Sequence, residues 1–257
     1  MCRAQVSGRV VGVSEPSPKY TPRPMSNTTT YALGGVAVVV IALVVLLVMR
    51  WSNDEADVRN DGYGTVRNPA VVSVLSPDGS VQLGRVDAAN TVDIYEDPLC
   101  PACGVLESVY GQEIAQKIDE GALAVRYRFV NFLDSRSKSK NYSTRAVAAT
   151  ECVADSGSGP VYAKFHEMLF VTDQPEENKS DLTNQQLADL AREAGAGEDV
   201  VQCVASGAKV DAATANAKAA LDQLNGLLDG KAATPSVYDG ATRIDVNNEN
   251  WVVDVTR

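Results

Sequence analysis

The chain has 257 residues, of which 45% are hydrophobic and 22% are charged, a balance that excludes a globally disordered or collagen-like protein. Its net charge of −10 is divided unevenly, with +4 on residues 1–51 and −14 on residues 52–257. Because so acidic a body repels phosphate backbones, no nucleic-acid partner is expected. A single histidine argues against a metal site, and five cysteines suffice for a redox site and one structural disulfide. No cofactor is predicted.

Residues 31–49 form an apolar segment without a charge. As a helix rising about 1.5 Å per residue, the segment would span roughly 28 Å, close to the hydrocarbon thickness of a bilayer. A buried core helix is not favoured, because the segment has no polar face. A cleavable signal peptide is not favoured either, since the run is long and no small-residue processing site follows Met49. The sequence therefore predicts one uncleaved transmembrane helix.

The charges on either side of this helix predict its orientation. Basic residues precede it, whereas acidic residues follow it within a few positions. By the positive-inside rule, residues 1–30 form a cytoplasmic tail and residues 52–257 lie on the extracytoplasmic side of the cell membrane. The polar stretch 50–69, which contains glycines, is interpreted as a linker to the folded domain.

The next predicted elements are typical of an α/β protein. Residues 70–75 and 81–84 alternate in polarity around the turn Ser76-Pro77-Asp78-Gly79, which predicts a β-hairpin. A βαβ unit with parallel strands and a right-handed crossover is predicted after it. The members of this unit are the strand 91–95, the helix from Cys100 to about Glu120 and the strand 123–130.

Residues 141–226 change character, with Ala, Leu and Val at helical spacing. Thr183 and Gln186 form a capping box, and glycines separate the helices. The predicted helices are 141–154, 161–170, 183–194, 198–206 and 208–224. Two short strands and a last helix follow, at 236–238, 242–245 and 250–256. The domain at 70–257 is thus predicted to be an α/β core with an inserted all-helical subdomain.

The most informative motif is Cys100-Pro101-Ala102-Cys103, which follows a strand and opens a helix. Free backbone N–H groups and the helix dipole stabilise a thiolate there, so a lowered pKa is predicted for Cys100. Pro101 fixes φ in the first turn. Cys103, one turn further in, is predicted to be the buried resolving thiol. The alternatives are half of a zinc site, which lacks further ligands at suitable spacing, and a structural disulfide, which rarely opens a helix.

A second motif, Thr234-Pro235, stands directly before the predicted strand 236–238. A proline at the start of a central strand removes a hydrogen-bond donor from the sheet. We therefore predict a cis peptide bond that exposes backbone to an unfolded substrate beside the cysteines. An ordinary trans proline in a turn is the alternative.

Three other titratable residues bear on this site. Glu96 and Asp97 precede Cys100 by three to four positions and could relay a proton to Cys103 or raise the thiol pKa by repulsion. Solvated loop carboxylates are the alternative interpretation. His166 lies in an apolar helical stretch and is interpreted as a packed core histidine, not as a metal ligand.

Cys152 and Cys203 both fall on predicted helices of the inserted subdomain. In an oxidising compartment, the two remaining cysteines of one subdomain are expected to form a structural disulfide. Two free buried thiols are the alternative. Cys2, in the N-terminal tail, is left unpaired.

The CPAC motif between strand and helix, the helical insertion and the segment TPSVYDG at 234–240 together resemble the DsbA family of extracytoplasmic thiol oxidoreductases. The resemblance covers residues 70–257, extends to membrane-anchored actinobacterial members and implies a thioredoxin-like fold. It implies Cys100 as nucleophile, Cys103 as resolving thiol and Thr234-Pro235 as a substrate-facing loop. It also implies reduced exported proteins as substrates and a quinone-linked membrane reoxidase of DsbB or VKOR type.

Two residues depart from the family pattern. Ala102 stands where the best-known oxidases have His, and Thr234 stands where many strong oxidases have Val, so weaker oxidising power is expected. The resulting hypothesis is a protein disulfide oxidoreductase that introduces disulfides into exported proteins. The alternatives are a disulfide reductase or isomerase, a copper(I) metallochaperone using the same thiols, and a binding module that merely retains the cysteines.

Overall fold

The computed structural model of the protein describes residues 57–257. The predicted tail at 1–30 and the predicted transmembrane helix at 31–49 lie outside the described residues. Within residues 57–257, no helix combines the length and the apolarity needed to cross a bilayer. The membrane anchor therefore stays a prediction.

The described domain is built on a six-stranded mixed sheet. Only β3 and β4 are parallel, and the other neighbouring strands are antiparallel. In the spatial order β1-β2-β4-β3-β5-β6, the strands are β1 (Val72–Leu75), β2 (Val81–Gly84), β3 (Asn90–Glu96), β4 (Leu123–Phe129), β5 (Ser236–Asp239) and β6 (Thr242–Ile244). The predicted hairpin and the predicted βαβ unit are confirmed.

One helix, α1 (Pro101–Asp119), connects β3 to β4, and five more separate β4 from β5. These are α2 (Tyr142–Ala154), α3 (Gly159–Glu167), α4 (Asn184–Glu193), α5 (Glu198–Ser206) and α6 (Val210–Leu227), and α7 (Trp251–Asp254) follows β6. The predicted helix at 161–170 differs from the observed one. It begins at Gly159, where the Ser158 side chain accepts a hydrogen bond from a first-turn N–H, and it ends in a π-helical turn, Met168–Thr172.

Successive residues of β3 point to opposite faces of the sheet. Ile94 enters the main core together with residues of α1. Tyr95 packs instead with Leu224 of α6 and Tyr238 of β5. Glu96 follows the alternation of Ile94, so its carboxyl group faces the main core close to the start of α1.

Residues 57–69 are part of the folded domain, which corrects the predicted linker at 50–69 over its described portion. Val66 is 5% exposed and belongs to the main core. The Tyr63 hydroxyl donates to the Asp119 carboxylate at the end of α1 over 2.8 Å. The segment is polar because its polar groups bond to α1, and composition alone cannot distinguish such bonds from solvation.

A disulfide joins Cys152 of α2 to Cys203 of α5, with an S–S distance of 2.01 Å. The two cysteines are 51 positions apart in the sequence. This is the predicted pair, and it ties together two helices of the inserted subdomain.

Replacing both Cys152 and Cys203 with Ala should lower the free energy of unfolding by about 4 kcal/mol, because the unfolded chain regains the entropy of an open loop. Guanidinium unfolding of the oxidised wild type and the variant, followed by circular dichroism, measures this difference. The redox equilibrium of Cys100 and Cys103 should stay the same, which serves as the control. Equal free energies of unfolding would contradict the prediction.

Candidate redox site

Cys100 is the cap residue at the N-terminus of α1. It has an extended backbone with φ −78° and ψ 114°, Pro101 takes the first helical position, and no side chain caps the helix end. The Cys100 carbonyl oxygen accepts from the Cys103 N–H at 3.0 Å. The backbone N–H groups of Ala102 and Cys103 also stabilise the Cys100 thiolate.

The pKa of the Cys100 thiol is lowered to about 6. The largest cause is the hydrogen bond donated by the Cys103 thiol, and burial opposes it. The Thr234 side chain and the backbone N–H groups of Cys103 and Ala102 lower this pKa further. Because this pKa lies below neutral pH, the Cys100 sulfur is mostly a thiolate there, and the residue is 7% exposed.

Cys103 lies in the opposite environment, with 0% exposure. Burial raises the pKa of its thiol well above the usual value, and the hydrogen bond to Cys100 and the charge of Glu96 raise it further. Both thiols are free, so the structure represents the dithiol state of the pair. One turn of helix thus separates a stabilised thiolate from a buried thiol that keeps its proton.

The peptide bond between Thr234 and Pro235 is cis, as predicted. Ser236 lies opposite Tyr95 in the antiparallel pair of β5 and β3, which brings the preceding loop beside the start of α1. In its protonated form, the Cys100 thiol donates to the Thr234 carbonyl oxygen at 3.4 Å. The Thr234 hydroxyl is buried and has no hydrogen-bond partner among the described residues, so it is available to donate to the thiolate.

Asp97 is buried and holds the loop between β3 and α1. Its Oδ1 accepts from the Leu99 N–H at 3.0 Å and from the Ser143 hydroxyl at 2.6 Å. Its Oδ2 accepts from the Leu133 N–H at 3.0 Å. Burial raises the pKa of this carboxyl to about 7, although the three hydrogen bonds lower it. The interpretation as a solvated loop carboxylate is wrong, because Asp97 ties three segments together.

Glu96 is also buried, which overturns the solvated interpretation for it as well. His166 Nε2 lies 3.1 Å from Glu96 Oε2, and His166 Nδ1 lies 3.6 Å from Glu107 Oε2. The imidazole packs against the rings of Tyr127 and Phe170, with centroid distances of 4.2 and 4.6 Å. His166 is thus a core histidine, as predicted, but it also bridges two carboxyl groups. Glu107 is a member of this cluster that the sequence did not reveal.

The cluster of Glu96, Glu107 and His166 holds protons near neutral pH. Burial raises the pKa of Glu96 well above its usual value and raises that of Glu107 to about 8. Burial also lowers the pKa of His166. Each shift favours the uncharged form, so the contacts are hydrogen bonds within a neutral cluster and not permanent ion pairs.

The same three side chains bring one possible metal-ligand atom each within 4.8 Å of one another. A metal centre needs one atom from each residue to converge on a single point. Here the two ring nitrogens of His166 face different carboxyl groups. The geometry therefore suits hydrogen bonding better than coordination.

Gln174 is a second candidate that the sequence did not identify. Its side-chain amide donates to the carbonyl oxygens of Pro98 at 3.2 Å and Cys100 at 3.0 Å, which fixes the loop that enters α1. This approach requires Gly104, because a Cβ atom there would lie 2.7 Å from the Phe170 carbonyl oxygen. A glycine directly after Cys103 was the available signal of a close backbone contact.

Known proteins with similar sequences and structures include thiol–disulfide oxidoreductases of the thioredoxin family. The thioredoxin family model matches residues 76–251. MdbA, a thiol-disulfide oxidoreductase from Corynebacterium matruchotii, is 29% identical and superposes with a TM-score of 0.65, covering 74% of this chain and 93% of that one. Reduced DsbA from Mycobacterium tuberculosis is 33% identical, with a TM-score of 0.53 over 72% of this chain and 92% of that one.

The serine/threonine-protein kinase PknE of Mycobacterium tuberculosis is 41% identical over 174 residues, which are 67% of this chain and 30% of the kinase. The chain thus spans less than a third of the length of the curated relatives it matches, and no phosphoryl-transfer activity follows from the likeness. The chain belongs to the thioredoxin family. Within it, the chain is of the DsbA and MdbA type of thiol–disulfide oxidoreductases, as the sequence motifs indicated.

Cys103→Ala should raise the pKa of Cys100 by about one unit, because a hydrogen bond to a charged group contributes about 1.5–3 kcal/mol and a thiol is a weak donor. Cys103→Ser is the matched variant, since its hydroxyl can still donate and should keep the pKa low. Ultraviolet absorbance of the thiolate against pH gives both values. Identical titrations of the two variants would show that the Cys103 hydrogen bond is not the main cause.

Proposed function

We propose that the protein introduces disulfides into exported proteins by thiol–disulfide exchange at Cys100 and Cys103. The observation that carries this proposal is the placement of Cys100, whose pKa is lowered to about 6 at the start of α1 beside the cis Thr234-Pro235 loop. A thiol of low pKa is a good leaving group when a substrate takes over the disulfide. Cys100 is accordingly the nucleophile and Cys103 the resolving thiol.

The exchange begins when a substrate thiolate attacks Cys100 Sγ in the oxidised enzyme. The Cys100–Cys103 bond breaks, a mixed disulfide forms, and Cys103 leaves with the electron pair. A second substrate thiolate then attacks the substrate sulfur of the mixed disulfide, and Cys100 leaves as a thiolate. The substrate gains a disulfide, and the enzyme keeps two electrons as a dithiol until a partner oxidises it.

The direction of exchange follows from the stabilised thiolate. Lowering the pKa of Cys100 stabilises the reduced enzyme against the oxidised one, which favours donation of the disulfide over reduction of substrates. Because this pKa is depressed, the stabilisation is complete above the ordinary thiol value of 9.0 and is lost as the pH falls through about 6. The Ala102 side chain adds no charge or donor, so we expect an oxidase weaker than one with His at this position.

The substrate-facing surface in this proposal is apolar. Pro101 and Ala102 are exposed at the entrance, and Val105, one turn further along α1, is 60% exposed. Unfolded exported proteins present apolar side chains that such a rim can contact. The Thr234-Pro235 loop contacts Cys100 and offers backbone groups to the same substrate segment.

We further propose that the domain works outside the cytoplasm, held to the cell membrane by residues 31–49. Support comes from the Cys152–Cys203 disulfide, which is typical of an oxidising compartment, and from the basic flank that precedes the apolar segment. Reduced exported proteins are the substrates there. A quinone-linked membrane protein of DsbB or VKOR type would accept the two electrons from the dithiol.

In cells, Cys103→Ala should accumulate mixed disulfides between Cys100 and exported proteins, because no resolving thiol remains. Purification under denaturing, non-reducing conditions followed by mass spectrometry identifies the trapped proteins. The double variant Cys100→Ala/Cys103→Ala is the control and should trap none. Trapping of cytoplasmic proteins alone would contradict the proposed location, and an absence of trapped proteins would contradict the proposed activity.

Ala102→His should lower the pKa of Cys100 below its present value of about 6, since a nearby imidazolium favours the thiolate. The equilibrium with glutathione should then shift toward reduced enzyme. Ala102→Leu adds bulk without charge and is the matched control. If the His and Leu variants have the same thiol pKa and the same equilibrium, charge at this position does not set the oxidising power.

A further inference from the structure

A cavity of about 80 Å³ lies between α1, α3 and the segment that precedes β1. Thr65, Glu107 and His166 contribute to its wall, and the exposed residues Gly64 and Ser108 lie at its rim. Since a water molecule needs roughly 10–15 Å³ of such volume, the cavity can hold several. Solvent can therefore reach two members of the buried cluster beneath α1.

The polar atoms around this cavity are incompletely bonded. Thr65 Oγ1, Glu107 Oε1 and Glu96 Oε1 are buried and have no hydrogen-bond partner among the described residues. Thr65 and Glu107 line the cavity, whereas Glu96 lies outside the lining, next to His166 and Glu107. Buried polar atoms of this kind are normally satisfied by ordered water. The cavity wall is thus suited to exchange protons with solvent.

We infer that His166 and Glu107 connect Glu96 to this cavity as a proton-transfer path for Cys103. The inference rests on the proposed role of Cys103 as the resolving thiol. One tautomer makes the path continuous, with the Glu96 O–H donating to His166 Nε2 and the His166 Nδ1–H directed at Glu107. His166 and Glu107 act through Glu96 and are positioning residues, since neither is placed in contact with the reacting sulfur atoms.

The path would carry away the proton that Cys103 releases in one direction of the exchange and supply the proton that it takes up in the other. In the resolving step, Cys103 attacks Cys100 Sγ of a mixed disulfide, the new S–S bond forms, and the partner sulfur leaves with the electron pair. The thiol proton of Cys103 passes to Glu96 and leaves through His166 and Glu107 to the cavity. When a substrate is oxidised, the Cys103 thiolate takes a proton along the same path in reverse.

The surroundings of the cluster favour proton transfer without net charge in the core. The titratable side chains that face it are Cys100 and Cys103 at the start of α1, Tyr127 of β4, and Tyr162 and Glu167 of α3. Burial raises the pKa of both tyrosines well above the usual value, so they stay neutral. With the pKa of Glu107 at about 8, a proton can be gained or lost near neutral pH.

Stopped-flow reaction of the reduced protein with dithiobis-nitrobenzoate separates the two chemical steps. Attack by Cys100 releases the first coloured thiolate, and attack by Cys103 on the resulting mixed disulfide releases the second. We expect His166→Gln and Glu107→Gln to slow the second phase by about a hundredfold, the lower end for loss of general acid–base assistance. The first phase should stay within about twofold of the wild type, and the pH at which the second phase is half-maximal should shift.

Two control variants and a rescue experiment separate proton transfer from structural damage. Glu113→Gln changes another buried carboxylate of α1, which pairs with Arg59 at 3.4 Å, and Tyr162→Phe removes a buried hydroxyl from α3. Both controls should leave the second phase unchanged. In Glu107→Ala, added formate can enter the enlarged cavity and should restore the second phase in proportion to its concentration.

A second phase within twofold of the wild type in both Gln variants would overturn the inference. A slow second phase with an unshifted pH profile and no formate rescue would overturn it as well, because that pattern indicates a structural role. If wild-type Cys100 reacts no faster than free cysteine at neutral pH, the proposed function itself fails. A solvent deuterium effect on the wild-type second phase, absent from the first, supports the path even if a variant does not fold.

Discussion

Asp97 accepts hydrogen bonds from its own loop and from two segments 36 and 46 positions further along the chain, and the geometry of the β3–α1 junction depends on them. Its backbone carbonyl also accepts from the Cys100 N–H at 2.8 Å, which sets the cap residue of the helix. A buried carboxyl group is costly unless its oxygens are bonded, so the three segments must assemble together. The position of Cys100 at the helix end is a consequence of that assembly and not of local helix preference alone.

The difference between the two thiols arises from environments only one helical turn apart. Cys100 is 7% exposed and receives hydrogen bonds, whereas Cys103 is fully buried and is affected by the charge of Glu96. The hydrogen bond between the two thiols lowers the pKa of Cys100 and raises the pKa of Cys103, so the two titrations are coupled. At neutral pH the pair therefore keeps one proton, which is on the Cys103 sulfur. Exchange at the Cys100 sulfur therefore needs no deprotonation, whereas attack by Cys103 requires its thiol proton to leave the core.

The sequence predicted those parts of the site that are encoded locally. The βαβ unit, the CPAC motif at a helix start and the cis bond before β5 follow from residues within a few positions of one another. The contact between Glu96 and His166 joins residues 70 positions apart, and no local pattern specifies it. Gln174 was missed for the same reason. The segment 57–69 was misjudged because polar composition does not reveal whether polar groups bond to water or to α1.

The inserted helices are part of the redox site and not an accessory to it. Ser143 of α2 bonds to Asp97, His166 of α3 bonds to Glu96, and Gln174 after the π-helical turn bonds to the Cys100 carbonyl. The π-helical turn carries the chain close to Gly104, where a regular helix would continue in its own direction. Since each of these contacts reaches the β3–α1 junction from a different helix or turn, a shift of the insertion would change loop geometry and proton affinity together. The Cys152–Cys203 disulfide lies nine positions further along α2 than Ser143, so it stabilises the inserted helices without touching the junction.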